Sequence, residues 1–138
     1  MNSPDYPHPI RLRGPWDLFV VSAAASAAVQ TFRVTPPCDW SPALGPEFRG
    51  TARFRRYFNA PDRLMPHERL WLVVEGADAQ ADVALNGTPL GKFAGPTTRW
   101  EHDINTLYKS RNELTIDVTA DGSPGALGPV RLEVRWAD

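Results

Sequence analysis

Cysteine is almost absent from this sequence, and its scarcity excludes several kinds of site. Cys38 is alone among 138 residues, so the sequence excludes an internal disulfide and a zinc site built from cysteines. Its neighbours are Pro37 and Asp39, and a carboxylate beside a thiol raises the pKa of the thiol, which argues against a catalytic cysteine. A solitary thiol favours a reducing, cytoplasmic compartment.

Targeting and membrane-spanning signals are also missing. The opening residues MNSPDYPHPI have neither the basic region nor the apolar run of a signal peptide, and the stretch VVSAAASAAV is too short to cross a bilayer. The formal net charge of −1 gives no electrostatic reason for binding to nucleic acid or to an anionic membrane. We therefore expect no secretion signal, no nucleic-acid partner and no membrane partner.

The patterns of common cofactor and catalytic sites do not occur. His8, His67 and His102 are far apart, without the short spacing that brings two histidines to one metal. None of the serines lies in a Gly-x-Ser-x-Gly motif, and no glycine-rich phosphate loop is present. The sequence therefore predicts no metal site and no cofactor.

One pair of carboxylates has a spacing that could suit catalysis. Glu101 and Asp103 have the same parity on a predicted strand, so their side chains share one face about 7 Å apart. Glycoside hydrolysis uses two carboxylates across one sugar, but the same spacing occurs on a great many strands. We expect this pair to be structural, and we predict that the chain is not an enzyme.

What the sequence does contain is a series of strands separated by turns. Fourteen prolines and ten glycines accompany short alternating segments such as ELTIDVT and VRLEVRW. Asn86-Gly87 between two alternating runs is a strong hairpin signal. About eight to ten such strands predict an all-β fold, a two-sheet antiparallel β-sandwich. We expect residues 1–138 to form a single domain, with residues 1–9 as a flexible N-terminal arm.

The segment EFRGTARFRRYF is a long predicted strand with an unusual number of arginines. Arg49, Arg53 and Arg55 share one face. One interpretation is a solvated face whose arginines pair with Asp and Glu of neighbouring strands. The other is a site that binds an acidic sugar, a phosphate or a partner protein. Arg56 falls on the apolar face. We expect a β-bulge to turn it outward, the alternative being a buried and paired arginine.

The order of these segments resembles a known family. The shared pattern consists of Gly50 with Phe54, Arg55, Arg56 and Phe58; Leu72, Val74 and Gly76; Val83, Leu85, Asn86, Gly87, Leu90 and Gly91; Asp103 and Ile104; and Asn112, Leu114, Ile116 and Val118. In this order they resemble the sugar-binding domain of family 2 glycoside hydrolases, from about Gly50 to Val134. The resemblance implies a jelly-roll β-sandwich of the galactose-binding-like type.

The resemblance also limits the function that it implies. In full-length members the catalytic residues lie in a separate (β/α)8 barrel, and this sequence contains no barrel. Some members extend the loop before the last strand toward the active site with an acidic residue and a tryptophan. Here that loop, ADGSPGALGPV, keeps Asp121 but has no tryptophan. The resemblance implies a non-catalytic carbohydrate-binding-type module, whose partner is a carbohydrate, a glycosidase or another protein.

Aromatic residues beside polar ones are the candidate carbohydrate contacts. Sugars stack their C–H faces on aromatic rings, while their hydroxyls need polar partners. We predict a site formed by Trp100, Trp40, Arg99, Asp103 and Asp121. The alternative is that the tryptophans belong to the core and that the chain is a structural or protein-interaction β-sandwich that has lost sugar binding.

Overall fold

Apolar–polar alternation produces strands through most of the described chain. The structure, a computed structural model, describes residues 6–22, 30–61, 64–120 and 125–137. Its elements are β1 His8–Arg11, β2 Trp16–Ser22, β3 Phe32–Val34, β4 Cys38–Asp39, α1 Ser41–Leu44, β5 Gly50–Asn59, β6 Glu68–Leu85, β7 Thr88–Asp103, β8 Arg111–Ala120, β9 Ala126–Leu127 and β10 Val130–Trp136. The predicted all-β fold is confirmed. Within the described ranges, no helix has the length and apolar character needed to cross a bilayer.

The strands hydrogen-bond into one connected antiparallel sheet that curls. The main order is β1-β10-β6-β8-β5-β2-β3; β7 adds to β6, and β9 joins β4 and β6. β6 has two sets of partners, because residues 68–74 pair with β10 whereas residues 80–85 pair with β8. The register of β6 against β7 shifts between these two parts. The β6–β7 hairpin therefore passes from one part of the curled sheet into the other.

A glycine lies at the bend in β6. Gly76 has a φ of +98°, and a Cβ at this position would be 2.2 Å from the carbonyl oxygen of Pro96. Both the backbone angle and the lack of space exclude a side chain. Glycine is therefore the residue that fits position 76, which gives a physical reason for its place in the pattern described above.

The core is formed by the apolar positions of the alternating strands. Leu114, Ile116 and Val118 of β8 are buried, as their spacing predicts. Trp16 is fully buried, and its indole nitrogen donates a hydrogen bond to the carbonyl oxygen of Leu12 over 2.8 Å. Burying one leucine, isoleucine or valine side chain contributes about 1.5 to 3 kcal/mol. The buried apolar side chains together therefore stabilise the curled sheet more than any single polar contact does.

Arg56 differs from its predicted environment. β5 pairs with β8 in unbroken register, with Arg56 opposite the buried Leu114, so the expected bulge is wrong. Instead, the Arg56 guanidinium donates to two backbone carbonyl oxygens, those of Arg13 over 2.8 Å and of Tyr57. Its partial burial lowers the pKa of Arg56. Backbone carbonyls thus supply the polar contacts that a guanidinium on an apolar face requires.

The segment predicted as an N-terminal arm is described from Tyr6 onward. His8 and Pro9 belong to β1, where they pair with Val134 and Glu133 of β10. The hydroxyl of Tyr6 donates to the carboxylate of Glu68 over 2.6 Å. Residues 1–5 lie outside the described residues, so the extent of the arm and of the domain stays a prediction.

Candidate functional site

Trp100 lies half-buried on β7, which pairs with β6 alone among the described strands. Its ring is nearly parallel to the rings of Phe93 and His102, whose centroids are 6.0 and 5.7 Å from its own. Gly91 leaves space for the indole, because a Cβ there would be 3.2 Å from the indole nitrogen. We call Phe93, Trp100 and His102 the aromatic strip. Phe93 is buried and Trp100 packs against the hydrophobic core, so of these three only Trp100 and His102 are partly exposed at this edge of the sheet.

Arg99 and Asp103 lie on the face of β7 opposite to Trp100. Successive side chains of a strand point to opposite faces, and this alternation separates the indole from the charged residues beside it in sequence. The Nε of Arg99 donates to Glu101 over 2.9 Å, and Asp103 accepts a hydrogen bond from the Nε of Arg69 over 2.6 Å. The predicted polar residues are therefore paired with other side chains and do not surround the Trp100 ring.

Asp103 is a structural carboxylate in this arrangement. One of its oxygens accepts the backbone N–H of Asn105 over 2.8 Å, and the side-chain oxygen of Asn105 accepts the N–H of Leu70 over 3.0 Å. Burial opposes ionisation of Asp103, but the hydrogen bonds from Arg69 and Asn105 outweigh burial and lower its pKa. The ionised carboxylate thus connects the end of β7 to the start of β6.

Alternating charges cover the face of β7, β6 and β10 that lies opposite the aromatic strip. We call this set the outer charged face; it consists of Glu75, Arg99, Glu101, Arg131, Glu133 and Arg135. Glu133 is 4% exposed, and its carboxylate accepts hydrogen bonds from Arg131 over 2.8 Å and from Arg135 over 2.9 Å. Burial opposes ionisation of Glu133, but these bonds outweigh it and lower its pKa. The Arg-x-Glu-x-Arg spacing in VRLEVRW is the sequence signal for this network.

Two other predicted site residues do not join Trp100. The structure corrects the expectation for Trp40, whose side chain is fully buried. Phe48 packs edge-on against it with ring centroids 4.9 Å apart, and a Cβ on Gly125 would be 2.4 Å from the indole. No face of the Trp40 ring is left for a sugar. Asp121 lies outside the described residues.

The arginines of β5 form ion pairs on its polar face. Arg53 donates two hydrogen bonds to Asp117, over 2.7 and 3.0 Å. Arg55 lies 3.1 Å from Asp17. These contacts match the interpretation of a solvated face paired with acidic residues of neighbouring strands. Arg53 uses two donors on Asp117, whereas Arg55 uses one on Asp17 and its buried Nε has no hydrogen-bond partner among the described residues.

A groove of about 730 Å³ lies between β1, the segment 35–37 and the start of β10. The sequence analysis did not predict it. Its lining includes five prolines, the arginines Arg11, Arg13 and Arg131, and the acidic residues Glu75 and Glu133. The alternation in IRLR indicates two arginines on one side of a strand. It does not indicate a groove, because the walls come from segments far apart in the chain.

Cys38 has an environment that suppresses its reactivity. Burial, and then the charge of Asp39, raise the pKa of the Cys38 thiol to about 11. Almost no reactive thiolate is then present near neutral pH. Throughout the described segments, no three His, Cys, Asp or Glu side chains are grouped so that they could hold a metal ion.

Comparison with protein families gives one match. Residues 48–125 match the sequence model of a family described as glycosyl hydrolase 2 galactose-binding domain-like. The matched range includes the whole aromatic strip but neither Arg11 nor Arg13. No curated protein sequence matches the chain.

Solved structures that share this fold are parts of larger enzymes. An FMN-binding β-glucuronidase from Facaelibacterium prausnitzii L2-6 is 26% identical, with a TM-score of 0.77 over 93% of this chain and 22% of its own. A β-glucuronidase from Bifidobacterium dentium is 21% identical, with a TM-score of 0.80 over 99% of this chain and 31% of its own. A putative β-galactosidase from Bacteroides fragilis is 20% identical, with a TM-score of 0.76 over 93% of this chain and 23% of its own. The chain therefore spans less than a third of each of these proteins.

Proposed function

The chain belongs to the glycosyl hydrolase 2 galactose-binding domain-like family, and from that membership we propose that it is a non-catalytic carbohydrate-binding-type module. The proposal includes a single domain over residues 1–138, with the curled sheet arranged as a two-layer jelly roll. The two partner sets of β6 support this arrangement, because they allow one hairpin to contribute to both layers.

The charges on Glu101 and Asp103 support the absence of catalysis. A glycosidase needs one carboxyl group with a raised pKa to act as the general acid. The hydrogen bond from Arg135 lowers the pKa of Glu101 despite its burial, and the pKa of Asp103 is also lowered, by Arg69 and Asn105 against the effect of burial. Neither carboxyl group is suited to donate a proton near neutral pH.

The ring of Trp100, which is only partly buried at the edge of the sheet, is the observation that carries the proposal. An indole face is a good stacking surface for the C–H face of a sugar. Phe93 and His102 lie nearly parallel to it and restrict its orientation, so little conformational entropy is lost on binding. Arg99 and Asp103 act as positioning residues that hold β7 in place from its other face. Asp121 stays a predicted polar contact.

A glycan array followed by titration calorimetry on the purified chain tests this proposal. We expect Trp100→Ala to weaken glycan binding by about tenfold or more, since stacking on an aromatic face is the main contact. Trp71→Ala is the matched control, because Trp71 is a half-buried tryptophan on the opposite face, 4.3 Å from the Arg135 guanidinium. Failure of every glycan to bind at millimolar concentration would refute the proposal, as would equal losses in the two variants. Hydrolysis of chromogenic glycosides would refute its non-catalytic part.

One exposed feature favours a second candidate function, that of a protein-interaction module. Tyr57 on β5 is 41% exposed, and the guanidinium carbons of Arg55 and Arg111 lie 5.5 and 5.2 Å from the centre of its ring. Tyrosine and arginine dominate the binding energy of many protein interfaces. If this function is correct, Tyr57→Ala weakens binding to a purified family 2 glycosidase barrel and Trp100→Ala leaves it unchanged.

A further inference from the structure

The groove beside β1 has a shape that is set by close backbone contacts. The N–H of Leu12 donates to the carbonyl oxygen of Val130 over 3.0 Å, which holds the segment 11–13 against β10. On the opposite side of the groove, the segment 35–37 lies close to Gly14. A Cβ at Gly14 would be 2.1 Å from the hydroxyl oxygen of Thr35, so a larger residue would push this segment away. The groove is therefore formed before any ligand arrives, as small-molecule sites usually are.

Two guanidinium groups in this groove have no partner in the described part of the chain. Arg11 and Arg13 are exposed, and neither side chain makes a hydrogen bond or ion pair with a described residue, although the backbone carbonyl oxygen of Arg13 accepts a hydrogen bond from Arg56. Arg131, which is directly opposite Arg11 in the β1–β10 register, is paired with Glu75 and Glu133. The two carboxylates already compensate the charge of Arg131. The positive charge left for an external anion is therefore that of the Arg11 and Arg13 side chains, which have no described partner.

The remaining lining of the groove is largely proline. Five proline rings present C–H surface to the space, and proline has no backbone N–H to offer a ligand. The volume of about 730 Å³ lies within the range of roughly 300 to 1,000 Å³ typical of small-molecule sites with apolar walls and a few charged groups. An inorganic anion would leave the proline walls without contacts, and an apolar ligand would leave the arginines unpaired.

We propose that this groove binds a saccharide that carries a carboxylate, such as a hexuronate. The carboxylate lies between the guanidinium groups of Arg11 and Arg13, which present forked donors matched to it, and the C–H faces of the sugar ring pack against the prolines. The site is distinct from the aromatic strip, since β1 and β7 lie on opposite sides of the paired β10 and β6. The inference therefore goes beyond the proposed function.

Calorimetric titration of the whole chain with methyl β-glucuronide tests the assignment, with methyl β-glucoside and inorganic phosphate as comparison ligands. We expect the glucuronide to bind about tenfold or more tightly than either, because it alone combines a carboxylate with a sugar ring. The Arg11→Gln/Arg13→Gln variant is expected to lose this advantage. Arg111→Gln/Lys92→Gln, which removes the same charge from positions outside the groove, is expected to keep it.

The possible outcomes separate this inference from the proposed function. Trp100→Ala is expected to leave glucuronide binding unchanged, because its ring lies outside the groove. Equal affinity for glucuronide and glucoside, retention of the preference in Arg11→Gln/Arg13→Gln, or phosphate binding as tight as glucuronide binding would each overturn the inference. If neutral glycans still bind through Trp100 in that case, the proposed function stands while this site assignment fails.

Discussion

Asn86 does more than provide a turn residue. Its φ of +52° and the +84° of Gly87 suit the short hairpin loop that the sequence predicts. The side chain of Asn86 also accepts the N–H of Glu113 over 2.8 Å and donates to Asn112 over 3.1 Å. These hydrogen bonds connect the turn between β6 and β7 to the start of β8. Local sequence could not predict them, because Asn112 is 26 residues away.

Removing the Asn112 side chain is expected to destabilise the protein. Asn112 is 1% exposed; its oxygen accepts the N–H of Lys109 over 2.7 Å, and its amide donates to the carbonyl oxygen of Lys109 over 2.8 Å. Asn112→Ala leaves these groups unpaired, so we expect the free energy of unfolding to fall by about 2 to 3 kcal/mol. Urea denaturation followed by tryptophan fluorescence measures this change. Asn59→Ala, at the exposed end of β5, should change stability by less than about 0.5 kcal/mol, and equal effects would contradict the assigned role.

The exposure of individual tryptophans could not be predicted from their neighbours in sequence. The sequence predicts Trp40 as a sugar contact, but Phe48 and Gly125 cover its ring. Trp100 packs against the core and stays partly exposed, on a strand that has a partner on one side alone among the described strands. Whether a tryptophan is buried depends on which distant segments pack against it in the folded protein. The local sequence pattern indicates mainly whether the residue lies on a strand.

At the scale of the element, alternation predicted which side chains of β8 and β10 face the core, and on β7 the same alternation separates the predicted site residues. Leu114, Ile116 and Val118 are buried as expected. Proximity along the chain suggested that Arg99 and Asp103 surround Trp100, yet neighbours at odd spacing on a strand point to opposite faces. The bend within the long strand β6 was also not predicted, since the sequence gives no register for its two partner strands.

The outer charged face is expected to depend on its buried carboxylate. Glu133→Gln removes the charge that Arg131 and Arg135 share while keeping the shape of the side chain, so each guanidinium group loses one of its two carboxylate partners. We expect the free energy of unfolding to fall by about 2 kcal/mol, because two hydrogen bonds to a buried charged carboxylate are weakened, although Arg131 keeps Glu75 and Arg135 keeps Glu101. Equilibrium urea denaturation measures the change. Glu47→Gln is the control at an exposed position, and a similar small effect in both variants would argue against the network.

At the scale of the whole molecule, the family pattern predicted the fold better than the site because its residues perform structural tasks. Gly76 permits the bend in β6, Asp103 connects β7 to β6, and Asn86 and Asn112 connect the hairpin to β8. The groove depends instead on Arg11 and on the packing of segments outside the matched range. Its ligand chemistry therefore has to be derived from the assembled surface.

The carboxylates of the outer charged face and its neighbour Asp103 determine the expected pH dependence of stability. The hydrogen bond from Arg135 lowers the pKa of Glu101, and arginine hydrogen bonds lower the pKa of Glu133 and Asp103 against the opposing effect of burial. A carboxyl group with a lower pKa in the folded state stabilises the protein fully above its unfolded pKa of about 4. That contribution is lost as the pH falls through the lower folded pKa. We therefore expect the stability contribution of these groups to be constant from about pH 7 to 5.5 and to decline below about pH 4.

Urea denaturation at a series of pH values measures this decline, and Glu133→Gln isolates one of its causes. The variant cannot lose a charge at position 133, so it should begin less stable at neutral pH and lose less stability on acidification than the unmodified protein. The two curves should therefore converge at low pH, where the unmodified protein also carries an uncharged side chain at this position. Two outcomes would contradict this expectation. One is that the free energies of unfolding of the two proteins differ by the same amount at every pH, and the other is that the unmodified protein becomes more stable as the pH falls below about 4. Either result would show that the arginine-bound carboxylates do not stabilise the folded protein.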